Sequence, residues 1–298
     1  MYGKSIKNEY NTHEVWPGFS NSMLHSYRVE SKLGPGGSGA VYKAWHKRLR
    51  KYLVIKEQKD KEIRAIESHR NEIEALKNIK SLYLPQVFDF HMEDSASFTV
   101  MEYIDGDSFD KLLKDGKMFT EAEIIKWYYQ IACALQTIHK HEVCHRDIKP
   151  SNIMLMYDGN VCLIDFNAAH VNGNLTGMVN RSPGYASPEQ HMYFQLCEDF
   201  NNKRELFVAE SQRKYVKTTP IDWKLSDIYS LGATIYHLLT GKRPPAPADE
   251  KTISVYLEDY LDYNLAEVAK IVKRSMQINP KDRYSSASEL CKALSELM

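Results

Sequence analysis

The chain has 298 residues and carries 39 lysines and arginines against 39 aspartates and glutamates, so its formal net charge is zero. This balance argues against a dedicated nucleic-acid-binding protein, which normally has a basic excess. The sequence also lacks a run of about 18 apolar residues that would span a membrane. The five cysteines are scattered and form no C-x-x-C pair, which is typical of a reducing compartment. We therefore expect a cytoplasmic protein with no membrane segment in this chain and no nucleic-acid partner.

The first part of the chain is predicted to be rich in strands. Residues 1–26 contain Pro17, Gly18 and scattered polar residues, and we expect an irregular N-terminal extension there. A strand-like pattern begins at Tyr27. After a charged helical stretch at about 60–80, two more strands are expected at 87–91 and 97–103. Turn-forming residues at 104–108 mark the expected boundary between two lobes.

The second part of the chain is predicted to be mainly helical. Thr120 and Glu123 form a T-x-x-E capping box, and the apolar residues behind it recur every three or four positions. A second helix is expected from Ser226, as its N-cap, to Gly241, as its C-terminal stop. Because the interior of this helix is apolar on most sides, we expect it to be buried at the centre of the lobe.

A glycine-rich segment, 34–39, follows the first predicted strand. Glycines allow the backbone to approach a phosphate chain closely and to present its amide donors. Similar glycine patterns also open dinucleotide-binding folds, but in those folds a helix follows the glycines. Here residues 41–45 continue as a strand, which argues against a dinucleotide-binding fold.

Lys56 lies on a strand that we expect to be largely buried, so its ammonium group needs an acidic partner. The helix that follows offers Glu72 and Glu74. The positions three, four and seven residues after Glu72 are apolar, whereas the corresponding positions after Glu74 are polar. Glu72 is therefore on the face turned toward the core and is the better partner.

The strongest pattern is H-R-D-I-K-P-S-N at 145–152, followed by D-F-N at 165–167. Asp147 can accept a proton from an attacking hydroxyl, and Lys149 can neutralise a phosphoryl group during its transfer. Asn152 and Asp165 offer the hard oxygen ligands that Mg²⁺ prefers. This spacing has little reason to arise by chance, and it predicts a site for phosphoryl transfer.

Together these motifs resemble those of Hanks-type (eukaryotic-like) serine/threonine protein kinases, and the bacterial members most of all. The similarity covers residues 27–298 and includes S-P-E at 187–189, S-D-I-Y-S-L-G at 226–232 and Arg283. It implies an α+β bilobal fold. A small β-rich N-lobe with one main helix (27–103) would join a larger helical C-lobe (107–298) through a hinge (102–106). It also implies a buried ion pair between Glu189 and Arg283.

The resemblance also implies roles for individual residues of this chain. Asp147 would be the catalytic base, Lys149 would contact the γ-phosphate of ATP, and Lys56, oriented by Glu72, would hold the α- and β-phosphates. Lys149 and Ser182 would favour serine and threonine hydroxyls over tyrosine as acceptors. The residues implied to bind Mg²⁺ are Asn152 and Asp165. The residues implied to contact the nucleotide are Gly34, Gly36, Gly37, Gly39, Val41, Val54, Lys56, Met101, Glu102, Tyr103, Ile104 and Met154.

Three features depart from the family's usual pattern. Val54 replaces the commoner alanine above the adenine, which should tighten the pocket slightly. Asn167 replaces the glycine that usually follows Asp-Phe, and asparagine is the non-glycine residue that best tolerates a left-handed backbone. Between Gln190 and Asp227 lie 36 residues, which include an insert at about 193–218. A long excursion of this kind is usually functional or disordered. The insert is expected either to shape the choice of substrate or partner, or to be a passive surface elaboration.

Hydroxyl groups of the activation segment are candidates for autophosphorylation. They belong to Thr176, Ser182 and Ser187, and Arg146 is placed to pair with a phosphate in this segment. The alternative is that these hydroxyls make only local hydrogen bonds.

The sequence thus predicts a protein kinase that depends on ATP and Mg²⁺ and phosphorylates serine and threonine residues of protein substrates, itself included. Two alternatives stay open: a pseudokinase that serves as a scaffold, and a kinase for small molecules. The motifs carry no information on the oligomeric state.

Overall fold

The computed structural model describes residues 19–35, 39–58, 73, 76–93, 96–166, 170–171, 182–201, 221–245 and 266–298. Its first part holds helix α1 (Asn21–Ser26) and strands β1 (Tyr27–Pro35), β2 (Gly39–His46), β3 (Lys51–Gln58), β4 (Val87–Glu93) and β5 (Ala96–Glu102). The two strands expected at 87–91 and 97–103 are thereby confirmed. Most of the expected helix at 60–80 lies outside the described residues.

The five strands form one antiparallel sheet in the order β1-β2-β3-β5-β4. Gly34 pairs with Val41 across the glycine-rich turn, so the chain after the glycines continues as a strand, as predicted. Val41 lies opposite Lys56, and Val54 lies opposite Met101. Residues directly opposite each other point to the same face of a sheet. These four side chains therefore share one face, which is only partly buried.

The other face of this sheet is buried beneath α1 and Phe19, which lies two residues before the helix. Met23 of α1 is 1% exposed, and the ring of Phe19 lies 5.0 Å from that of Tyr42 and 5.1 Å from that of Phe98. The expectation that residues before Tyr27 are irregular is thus wrong for residues 21–26. Ser20 caps α1 by accepting a hydrogen bond from the amide of Met23, and burial of apolar side chains holds the short helix in place.

The second part of the chain is mainly helical. Its strands are β6 (Gly106–Ser108), β7 (Val143–Cys144), β8 (Ile153–Met156), β9 (Val161–Leu163) and β10 (His170–Val171). Its helices are α2 (Phe109–Lys114), α3 (Glu121–Lys140), α4 (Pro188–Asn201), α5 (Trp223–Thr240), α6 (Ala266–Ser275) and α7 (Ala287–Ser295). Short 3₁₀ turns lie at Pro150–Asn152 and Pro280–Asp282. Among the helices in the described ranges, none is both long and apolar enough to cross a bilayer.

Helices α3 and α5 form the centre of this lobe. The capping box of Thr120 and Glu123 is present at the start of α3, as predicted. Helix α5 is buried along most of its length and ends at Gly241, whose φ of 65° suits a glycine. Its N-cap is Asp222, whose carboxylate accepts from the amides of Lys224 and Leu225. The prediction of Ser226 as N-cap is therefore wrong by one helical turn.

The insert begins within helix α4, which runs to Asn201. The remaining part of the insert, residues 202–218, lies outside the described residues.

Candidate active site

The loop between β7 and β8 carries the strongest sequence motif, and a buried carboxylate of α5 holds it in place. Asp227 is fully buried, and its two oxygens accept the backbone N–H groups of His145, at 2.8 Å, and Arg146, at 2.7 Å. The Nε2 atom of His139 lies 2.9 Å from the same carboxylate. The conformation of the loop is thus set by a rigid central helix. The sequence analysis did not single out Asp227; the only signal was its place in S-D-I-Y-S-L-G.

Within this loop, Asp147 is the centre of a hydrogen-bond network. Lys149 donates from Nζ to Oδ2 of Asp147 at 2.7 Å, and Ser182 donates from Oγ to Oδ1 at 2.8 Å. Lys149 also donates to Ser182 Oγ at 3.0 Å. The amide Nδ2 of Asn152 donates to the backbone oxygen of Asp147 at 2.7 Å. The structure therefore brings together four residues that the sequence analysis named.

Lys56 and Asp165 form the second charged pair of the site. Lys56 Nζ lies 2.5 Å from Asp165 Oδ1, with side-chain exposures of 12% and 34%. Burial of Asp165 acts to raise its pKa, but the ammonium of Lys56 and the more distant charges of His145 and Lys149 lower it overall. The carboxylate is therefore ionised at neutral pH. Asp165 has a positive φ of 71°, a strained conformation for a residue other than glycine. Glu72, the predicted partner of Lys56, and Asn167 lie outside the described residues.

The partly buried face of the N-lobe sheet carries the apolar residues predicted to contact a nucleotide. Val41, Val54 and Met101 share this face with Lys56. Met154 lies on β8, in the three-stranded sheet β6-β8-β9 of the C-lobe, opposite Ser108.

The predicted hinge follows directly from β5. The amide of Glu102 donates to the backbone oxygen of Gln86 at 2.9 Å. The ring of Tyr103 lies 4.2 Å from Lys43 Nζ, which ties this segment to β2. Ile104 follows as a partly buried residue. Of the four predicted loop glycines, Gly34 lies in β1 and Gly39 begins β2, whereas Gly36 and Gly37 lie outside the described residues.

The predicted ion pair between Glu189 and Arg283 is present. The two terminal nitrogens of Arg283 donate to the two carboxylate oxygens of Glu189 at 2.6 and 2.8 Å. Arg283 also donates to the backbone oxygens of Gln277, Leu225 and Ile278. This fully buried guanidinium fixes the start of α4, directly after the segment that contains Ser182.

The candidate phosphate acceptors have different environments. Ser182 is engaged by Asp147 and Lys149, whereas Ser187 is fully buried and bonded to Ser226 Oγ at 2.8 Å. Ser187 is therefore inaccessible, and its proposed phosphorylation is not supported in this conformation. Arg146, predicted to pair with a phosphate, is buried with its guanidinium 4.8 Å from the ring of Trp223. Thr176 lies outside the described residues.

Comparison with known proteins identifies the family. The model of the protein kinase domain family matches residues 27–297. A probable serine/threonine-protein kinase of Clostridium acetobutylicum is 28% identical over 295 residues, which cover 92% of this chain and 40% of that protein. The kinase Nek5 of Homo sapiens is 28% identical over 282 residues, which cover 90% of this chain and 36% of Nek5. The kinase PknA of a Nostoc species is 27% identical over 289 residues, covering 90% of this chain and 46% of PknA.

Solved structures show the same fold. A crystal structure of Rad53 residues 1–466 in complex with AMP-PNP matches with a TM-score of 0.64 and 21% sequence identity, over 90% of this chain and 64% of that one. The chain belongs to the protein kinase domain family, and the predicted bilobal α+β fold and the resemblance to Hanks-type kinases are confirmed. The chain spans less than half the length of the three named kinases.

Proposed function

We propose that this chain is an active serine/threonine protein kinase, which transfers the γ-phosphoryl group of ATP to serine and threonine hydroxyls of proteins, including its own. The observation that carries this proposal is the network of Asp147, Lys149, Ser182 and Asn152. A carboxylate and an ammonium group lie there in direct contact, on a loop that α5 holds in place. This is the arrangement that positions a hydroxyl nucleophile beside a phosphoryl group.

In this proposal Asp147 acts as the base. Its carboxylate accepts the proton of the substrate hydroxyl while that oxygen attacks the γ-phosphorus. Lys149 lies 2.7 Å from the same carboxylate and neutralises charge on the transferred group. Ser182 bonds to both residues and holds them next to each other. The substrate class, protein serine and threonine residues, is part of the proposal.

The nucleotide would lie against the partly buried face of the sheet. Val41 and Val54 offer apolar contact to the adenine from above and Met154 from below, with Met101 and the hinge, residues 102–104, at the end of the pocket. Lys56 would hold the α- and β-phosphates beneath the glycine-rich turn. Rad53, which shares this fold, was crystallised in complex with the nucleotide AMP-PNP, and this supports a nucleotide site here.

The donor set of the site fits Mg²⁺. The Nδ2 group of Asn152 is bonded to Asp147, and its amide oxygen, which accepts a 3.3 Å hydrogen bond from Ser151 Oγ, has a second lone pair for a cation. Asp165 is ionised beside Lys56. Bound Mg²⁺ would offset the negative charge of the phosphates. Asn152 and Asp165 are the residues proposed to hold it.

We further propose that the chain acts in the cytoplasm on protein substrates and that the insert at 193–218 contributes to their selection. Helix α4 carries the chain into this insert directly from the S-P-E segment, which adjoins Ser182. The insert is therefore close in sequence to the segment at which a protein substrate would dock.

The test is the intact mass of the protein after incubation with ATP and Mg²⁺, for the wild type, Asp147→Asn and the surface control Asp158→Asn. We expect phosphate on the wild type and on the control but not on Asp147→Asn, which should still bind nucleotide. Bound nucleotide without phosphorylation of the wild type or of a mixed panel of peptides would instead support a scaffold. Phosphorylation of small hydroxylated compounds alone would support a small-molecule kinase.

A further inference from the structure

Two helices of the C-lobe bring together a pair of cysteines that are distant along the chain. Cys133 lies on α3 and Cys291 lies on α7, and their Sγ atoms are 3.7 Å apart. About one turn further along α3, Gln136 donates from Nε2 to Ser288 Oγ at 2.7 Å, which holds the same two helices together. The two sulfurs therefore face each other across a fixed contact between helices.

The surroundings of Cys133 distinguish it from Cys144 and Cys162. Both of those thiols are buried, and burial raises their pKa well above the ordinary value. Cys133 is only partly buried and is therefore the most accessible of these three residues. A hydrogen bond from Cys291 lowers the pKa of Cys133 to about 7, against the opposing effect of burial. A substantial fraction of Cys133 is then thiolate at neutral pH, and the thiolate is the reactive form.

We propose that Cys133 and Cys291 are a redox-active pair, which a peroxide oxidises to a disulfide that links α3 to α7. In the first step the Cys133 thiolate attacks one oxygen of hydrogen peroxide and the O–O bond breaks. This leaves a sulfenic acid on Cys133 and a hydroxide ion, which takes up a proton to become water. In the second step the sulfur of Cys291 attacks the sulfur of Cys133, and the S–O bond breaks. The thiol proton of Cys291 leaves with the departing hydroxide as a second water.

The two sulfurs must move closer for the bond to form. A disulfide bond is about 2.0 Å long, so the sulfurs, which are 3.7 Å apart, must approach by roughly 1.7 Å. The bond would close a loop from residue 133 to residue 291, which contains the catalytic loop and helix α5. A cross-link over such a long loop strongly restricts the unfolded chain. Oxidation is therefore expected to stabilise the C-lobe against unfolding. The proposed disulfide goes beyond the proposed kinase activity and does not depend on it.

The experiment uses the full chain with Cys197 replaced by serine, which removes the fifth thiol. The protein is treated with hydrogen peroxide, digested without reduction and analysed by mass spectrometry, and its thermal midpoint is measured in parallel. We expect a peptide pair linked through Cys133 and Cys291 that dithiothreitol separates, and a rise of several degrees in the midpoint that dithiothreitol reverses.

Two control variants separate the proposed bond from other oxidation. In Cys291→Ser, whose hydroxyl can still donate a hydrogen bond to Cys133, the linked peptides and the rise in the midpoint should be lost, while dimedone should trap a sulfenic acid on Cys133. Cys133→Ser, which keeps the size of the side chain, should show neither linked peptides nor trapping at Cys291. Asp147→Asn should form the disulfide as the wild type does, so a failure of the kinase proposal is not a failure of this one. Oxidation of Cys133 without a link to Cys291, or no oxidation of either thiol, would overturn the proposal.

Discussion

Asp227 binds the backbone of the proposed catalytic loop, residues 145–152, so Asp227→Asn tests whether the conformation of this loop depends on α5. The carboxylate is fully buried and accepts the N–H groups of His145 and Arg146 on separate oxygens. An asparagine side chain has nearly the same shape but only one oxygen. At least one of the two backbone N–H groups must then face an amide NH₂ group, which cannot accept its hydrogen bond.

The size of the effect follows from these contacts. Loss of a hydrogen bond to a charged acceptor costs about 1–3 kcal/mol of stability, and so does a buried donor that is left unpaired. In Asp227→Asn both costs describe the same lost bond, so they are not added. We therefore expect the free energy of unfolding to fall by about 2–3 kcal/mol. If displacement of the loop raises the activation free energy of phosphoryl transfer by the same amount, kcat falls by up to about 100-fold. The KM for ATP should change little, because Lys56 and Asp165 have no hydrogen bond to Asp227 among the described contacts.

The assays are thermal unfolding and steady-state kinetics with a peptide substrate. The matched control is Lys224→Ala, one turn earlier on the same helix, which breaks only an exposed ion pair with Glu142 at 2.8 Å. This control should lose less than about 1 kcal/mol of stability and keep the wild-type kcat. An Asp227→Asn variant with the kcat of the control would refute the role of Asp227. A rise in KM for ATP equal to the fall in kcat would show that the whole cleft, rather than the loop, had changed.

Three further predictions rest on other contacts. Arg283→Met removes a fully buried ion-pair partner and should lower the free energy of unfolding by about 3–5 kcal/mol. Arg274→Met, at an exposed pair, should lower it by less than about 1 kcal/mol in the same denaturant titration. Ser182→Ala removes the hydrogen bonds with Asp147 and Lys149 and should lower kcat by about 30-fold, at roughly 1 kcal/mol for each bond, and Ser182→Thr should restore it. Burial and the charge of Arg243 lower the pKa of His237 below its ordinary value of 6.5. Below pH 6.5 the unfolded chain therefore binds more protons than the folded chain, and the free energy of unfolding falls as the pH drops. In unfolding curves measured at several pH values, His237→Asn should reduce this dependence on pH. Equal losses of stability in Arg283→Met and Arg274→Met would contradict the first prediction. Failure of Ser182→Thr to restore kcat would contradict the second, and an unchanged pH dependence of stability in His237→Asn would contradict the third.

The sequence carries most of the chemistry of the site because its functional groups occur in short runs with fixed spacing. Asp147, Lys149 and Asn152 lie within six residues, and the loop brings their side chains together as expected. Glu189 and Arg283 are 94 residues apart, and only the family resemblance predicted their contact. The roles assigned to the nucleotide-binding residues stay predictions, although alternation along the strands places Val41, Val54 and Lys56 on one face.

Other features leave too weak a local signal to be predicted. Asp227 is one acidic residue in an apolar helix, and its importance comes from the N–H groups of a loop about 80 residues away. The N-cap of α5 was misplaced because Ser226 and Asp222 are both good caps, and the choice depends on which amides remain unpaired at the helix start. Likewise, α1 is too short to be stable alone, so it forms only because a sheet is present for it to cover.

The packing of α1 and Phe19 on the N-lobe sheet also affects the proposed active site at the opposite face of that sheet. Side chains alternate along β3, so Ile55 is buried toward α1 while Lys56 points to the cleft. A slip of β3 by one residue would exchange the two faces, placing the ammonium of Lys56 beneath Phe19 and exposing Ile55. Burying that charge in an apolar cluster would be far more costly than burying the isoleucine. The aromatic contacts of Phe19 with Tyr42 and Phe98 therefore favour the register of β3 in which Lys56 faces Asp165. Residues 19–26 thus support the proposed site, even though they precede the part of the chain that matches the family.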